Sequence, residues 1–346
     1  MFSADNNRRR VLASFISIVA AGIVATSTPS SCGADALLPS RAETAVRVWK
    51  VHYTSHDGER RAIYVVLPAS YGPNHHPSIP LVISPHGRNA GGDENASYWG
   101  NLPAVGQFAV VNPDGMGRRL GLRSYGYAGQ IDDLSNMPKL VSAALPWLRI
   151  DRTRVFAVGS SMGGQEALLL VARHPNLLAG AAAMDSVTDL ARRYRQLPEL
   201  ACGRRCVARL GGQPVGKALQ DGLKEEVGGT PDFVPALYAA RSPMQFADRI
   251  AKAGVPLQIW WSRTDRVVFD QEDQSAALYR ALRKLNPCTQ VSAYTGHWRH
   301  SHEMKATQLL PIVLFRLGLL PSTSRALPPS VTYRAPVTCS TATARA

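Results

Sequence analysis

The stretch Val155-Phe-Ala-Val-Gly-Ser-Ser-Met-Gly-Gly164 drives an apolar run straight into two serines held between glycines, and an alanine- and leucine-rich segment follows at once. A hydroxyl gains nothing at the end of a buried strand unless the turn or some chemistry needs it. Gly159-Ser-Ser161-Met-Gly163 fits G-x-S-x-G, the sharp strand-to-helix turn that lifts the central serine's Oγ clear of its own backbone. In that frame Ser161 projects and Ser160 is the filler.

Working outward, β-like apolar runs recur at 46–53, 62–67, 81–84, 108–112, 155–158, 180–184, 257–261 and 290–294. Helical spacing fills 132–148, 162–173, 271–285 and 303–317, with Pro311 expected to kink the last. Two leading strands joined at His56-Asp-Gly58, then strands alternating with helices, predict an α/β fold: a mostly parallel eight-stranded sheet flanked by helices, antiparallel at its start. Residues 191–254 form the one long excursion and read as a small lid or pocket wall.

A serine hydroxyl is protonated at neutral pH and needs a base, and the base needs a carboxylate to fix its tautomer. On a strand-turn-helix elbow these arrive in the chain order serine, acid, histidine, each at a strand's carboxyl end. "LQIWWSRTDRVV" supplies Asp265, and "VSAYTGHWRHSHEM" supplies His297, His300 and His302. His300 is chosen as the base because it precedes Ser301 where the last helix opens, with Ser301 as its expected N-cap and Glu303 in its first turn. His297, beside the turning Gly296, is the alternative. "VISPHGRNAGG" supplies an oxyanion hole: the N–H of Arg88, freed by Gly87, would act with the N–H of Met162, and His86 would brace the loop. Asp185, ending the sixth strand, reads either as a pocket residue or as a carboxylate bonded to backbone amides. The histidine cluster lacks H-E-x-x-H spacing, so no metal site is expected.

These motifs, with Asp132-Asp133, Asp151-x-x-Arg154-Val155 leading into Gly-x-Ser-x-Gly-Gly164, and Ser242-Pro243 ahead of 257–265, resemble secreted α/β-hydrolases. The likeness is to feruloyl esterases, polyhydroxybutyrate depolymerases and prolyl-oligopeptidase-type catalytic domains, over about residues 45–317. It implies an acyl-enzyme route with no cofactor, acting on a small-molecule or polymer ester. The chain departs from it at Trp260-Trp261-Ser262, where relatives often carry His-Gly, and in having no preceding β-propeller, which favours esters over peptides. The alternatives are a peptidase of the oligopeptidase type and a catalytically silent hydrolase fold that binds a cell-wall polymer.

Residues 1–36 read as an export signal: a basic Asn7-Arg-Arg-Arg-Val-Leu12, an apolar run over 11–25 too short to span a bilayer, and small residues at Ala25-Thr-Ser27 and Ala34-Asp-Ala36. The remainder, 37–346, is expected to be one hydrolase domain with a tail over 318–346, secreted to the extracellular space, periplasm or cell wall and without a membrane span. Outside that signal four cysteines remain, and spacing suggests the pairs Cys202 with Cys206 and Cys288 with Cys339. The net charge of +14 comes from 39 basic residues scattered without a block beyond Arg8-Arg-Arg10, which excludes nucleic-acid binding as the function.

Overall fold

The computed structural model describes residues 45–200, 212–306, 308–321, 326–337 and 339. The expected export signal and the Cys202 and Cys206 pair lie outside them. The strands are β1 (Val46–Thr54), β2 (Arg60–Pro68), β3 (Ile79–Ile83), β4 (Ala109–Pro113), β5 (Ile150–Ser160), β6 (Gly180–Met184), β7 (Leu257–Ser262), β8 (Val291–Gly296) and β9 (Thr332–Arg334). They form one sheet in the order β1-β2-β4-β3-β5-β6-β7-β8-β9. β1 to β2, β2 to β4 and β8 to β9 pair antiparallel, and every pairing from β4 through to β8 is parallel.

Strand side chains alternate between faces, so a sheet buried on both sides needs two separate cores. Leu81, Ile83, Val155, Ala157, Ala181, Ala183 and Ile259 enter one. Val82, Phe156, Val158, Ala182, Met184 and Trp260 enter the other. The continuous apolar runs of the sequence are therefore central strands covered twice, and the small residues of β6 let the layers close over it. The Met162–Arg173 helix is apolar nearly all round and is buried along almost its whole length. At the antiparallel end, Asp133 accepts from both the backbone N–H (2.9 Å) and Nδ1 (2.7 Å) of His56, tying the first hairpin to the Ala128–Ala144 helix.

Three expectations need correction. The sheet has nine strands rather than eight, because the tail adds β9 to the edge of β8. The final helix is two pieces, Glu303–Ala306 and Leu309–Arg316. Pro311 does not kink a continuous helix: it sits in the first turn of the second piece, where a missing N–H costs nothing, and the chain turns just before it at Gln308, φ 65°. Pro138 lies inside the Ala128–Ala144 helix, which starts and stops four residues earlier than the spacing indicated. The Cys288–Cys339 disulfide is present, with Cα atoms 5.6 Å apart. Among the described residues no helix is long and apolar enough to cross a membrane.

Candidate active site

Ser161 sits between β5 and the Met162–Arg173 helix at φ 57°, ψ −122°, a backbone region that costs a residue with a Cβ on the order of 1–3 kcal/mol. The flanking glycines explain how so tight a turn closes. A Cβ on Gly159 would stand 2.2 Å from the carbonyl oxygen of Gly163, and one on Gly163 would stand 2.2 Å from that of Pro85. The second approach also lays the loop after β3 against the elbow. Ser161 N–H donates to the Met184 carbonyl at 2.8 Å, and its own carbonyl accepts from Gln165 N–H at 3.1 Å, so the strained residue is held from both sides.

His300 reaches Asp265 through Nδ1, 3.1 Å from Oδ1 and 3.0 Å from Oδ2. Asp265 also accepts from the backbone N–H groups of Val267 (2.8 Å) and Val268 (3.1 Å) and from the Gln271 amide at 3.4 Å. His300 is buried, whereas His297 and His302 are exposed, and only His300 is hydrogen-bonded to Asp265. The loop carrying it is fastened by Ser262: its Oγ accepts from Trp298 N–H at 2.8 Å and donates to the Trp298 carbonyl. Trp260 stacks on Tyr294 with centroids 3.9 Å apart, so the unusual Trp-Trp-Ser ending of β7 locks β7 to β8. Glu303 accepts from Arg299 N–H at 2.9 Å, closing the opening turn of the following helix.

Ser161, His300, Arg88 and Met162 all line one cavity of about 670 Å³. His86 lies behind it with both ring nitrogens 2.8 Å from carbonyl oxygens, of Gly87 and Gly115, and so pins the loop that carries Arg88. Residues of the 191–254 excursion, Arg193, Leu197, Leu200, Val215 and Leu219, form part of the wall.

Neither a protein-family model nor a curated protein matches the chain. Solved structures do. An esterase of Pyrococcus furiosus superposes with a TM-score of 0.54 at 13% identity, over 81% of this chain and 94% of that one. Pyrococcus horikoshii acylaminoacyl peptidase gives 0.55 at 15% identity, over 78% of this chain and 41% of that one. Porphyromonas gingivalis dipeptidyl peptidase 4 gives 0.55 at 15%, over 78% of this chain and 35% of that one. The chain thus spans well under half the length of these peptidases. It has the α/β-hydrolase fold.

This hydrolase fold carries a second carboxylate beside His300. Asp185, at the end of β6 with φ 46°, has Oδ2 4.0 Å from His300 Nδ1. Oδ1 accepts from Ser262 N–H at 2.8 Å and Oδ2 from Trp298 Nε1–H at 2.6 Å. Complete burial, and then the charge of Asp265, push its carboxyl up to about 7, against the opposing pull of His300, Trp298 and Ser262. The amide-bonded reading of Asp185 is the one the structure bears out, and its closeness to the histidine is what sequence spacing alone does not reveal. Ligand atoms of Asp185, Asp265 and His300 lie within 4.8 Å of one another, a separation compatible with a cation. Their carboxylate oxygens already receive N–H donors from five other groups.

Proposed function

We propose that the chain is a serine hydrolase that cleaves carboxylic esters through an acyl-enzyme. The observation that carries this is that His300, hydrogen-bonded to Asp265 at 3.0 Å, lines the same cavity as the strained elbow serine. Ser161 Oγ attacks the ester carbonyl carbon while His300 Nε2 takes its proton. Asp265 keeps the other ring nitrogen protonated and stabilises the imidazolium that forms. The N–H groups of Arg88 and Met162 receive the developing oxyanion, an interaction worth roughly 2.7–4 kcal/mol per donor in comparable sites. As the tetrahedral species collapses the ester C–O bond breaks, and His300 returns the proton to the departing alcohol. Water then repeats the sequence on the acyl-Ser161 ester and releases the acid.

The match to nearly the whole of an esterase supports an ester substrate. The likeness to peptidase structures favours one second reading, hydrolysis of a peptide bond by the same residues. The Cys288–Cys339 disulfide supports work in an oxidising compartment, in keeping with an export signal over 1–36. Residues 191–254 act in this reading as the lid of a domain covering 37–346.

A fluorophosphonate probe tests the nucleophile. It should label the parent and Ser160→Ala but not Ser161→Ala, and equal labelling of all three would sink the assignment. Nitrophenyl esters of graded chain length, set against prolyl and arginyl amides, decide ester against peptide.

A further inference from the structure

The cavity beside Ser161 is lined by three permanent cations, Arg88, Arg193 and Lys305, and by one carboxylate, the exposed Glu94. Two of the cations are set into the wall rather than into solvent. Arg193, on the Leu190–Gln196 helix, is only 6% exposed. Its Nη2 donates to the Val267 carbonyl at 2.6 Å and its guanidinium lies 5.5 Å from the Phe269 ring centroid, yet its Nη1 is buried without a partner among the described residues. Arg88 hydrogen-bonds to Tyr125, and its Nε is likewise buried and unpartnered. Burial pushes Arg193 down to about 10 against the pull of Tyr125 and Asp265, and the Arg88 guanidinium adds a smaller push in the same direction as burial.

Setting two like charges with spare donors, one buried and one half-buried, into one cavity wall is costly unless an anion joins them. Asp265 is the acid whose charge acts on Arg193, and its oxygens are already committed to two backbone amides, Gln271 and His300. A bracing role for Arg193 on the acid loop accounts for Nη2 but leaves Nη1 and Arg88 unexplained. The other part of the wall is apolar, with Tyr125, Val187, Leu197, Leu219 and Val268.

We propose that Arg193 and Arg88 form a carboxylate subsite in this cavity, so that the substrate is an apolar ester bearing a carboxylate of its own. This rests on the hydrolase reading for the word ester, but the subsite itself is a binding claim. A guanidinium presents its donors as a rigid fork that matches a carboxylate. The apolar wall would take the hydrocarbon body between that fork and Ser161.

The test is calorimetric binding of octanoate and octanamide to the full-length protein, two ligands of equal length that differ in charge. Octanoate should bind the parent at least about tenfold more tightly. Arg193→Met should bring the two ligands to within about twofold, and Arg193→Lys should restore part of the difference, since it returns the charge without the fork. If Arg193→Met does not fold, judged by its melting transition, Arg88→Met serves the same comparison. Equal affinities in the parent, or a preference undiminished in these variants, overturn the proposal. Failure of the hydrolase reading looks different: no Ser161-dependent fluorophosphonate adduct, with the octanoate preference and its loss in Arg193→Met both intact.

Discussion

Asp265 and Asp185 follow neighbouring parallel strands and face the same ring nitrogen of His300, at 3.0 Å and 4.0 Å, but they live in different surroundings. Asp265 is 7% exposed and gathers two backbone amides, an amide side chain and the imidazole. Asp185 is fully buried, has one backbone amide and one indole, and stands beside a carboxylate of the same sign. Burial, and then the like charge of Asp265, raise the Asp185 carboxyl, which has fewer donors to offset them. Distance to the histidine is thus only part of what makes an orienting acid: the supply of hydrogen-bond donors differs between the two carboxylates. Asp185 then holds Ser262 and Trp298, and through them the loop that presents His300.

The largest expected effect divides the two acids directly. Asp265→Asn should lower kcat/KM on the order of 10³–10⁴-fold by releasing the imidazole tautomer. Asp185→Asn should lower it less than about tenfold, because its main bonds are to the scaffold. Equal losses in steady-state assays would break the comparison. Next in size, Trp298→Phe removes the indole donor and leaves an Asp185 oxygen buried without a partner, at a cost of about 1–3 kcal/mol. Denaturant unfolding should show this, and an unchanged midpoint would mean that Asp185 is not held as described.

The smallest effect is a slope. Asp185 is raised to about 7 and the wholly buried Glu166 to about 8, chiefly by desolvation, so between about pH 4 and pH 8 the folded state binds more protons than the unfolded chain. Their contribution to stability is complete below the ordinary carboxylate range and is lost as pH rises through those values. The melting temperature should fall from pH 5 to pH 9, and Asp185→Asn should make that fall shallower. A melting temperature that rises across this window would contradict the assignment.

What could be read from the sequence divides along local and distant causes. The helix at 162–173 agrees with its expected range because its apolar run is bounded by the elbow and by Pro175, and β6 at 180–184 agrees because its run starts at Gly180 and stops at Asp185. The elbow residue, the bond from His300 to Asp265 and the pinning of the Arg88 loop by His86 follow from motifs in which each residue has a local reason. β9 gave no such signal. Its three residues, Thr332, Tyr333 and Arg334, are all exposed, and what holds them is remote: Tyr333 stacks on Tyr294 at 4.9 Å and Arg316 lies 4.5 Å over its ring. Arg193 was equally invisible, since a basic residue in an arginine-rich chain announces burial only once the helix bearing it folds over the cavity.

The tail strand guards one edge of the sheet. β8 would be the rim of the sheet were β9 not laid along it, and an uncovered rim offers free N–H and C=O groups to any passing strand. β9 covers only three rungs of β8, and the crosslink from Cys288 to Cys339 keeps so short a cover from drifting off. A reductant would therefore spare most of the core yet loosen the guard, exchanging a three-residue rim for the longer, six-residue rim of β8.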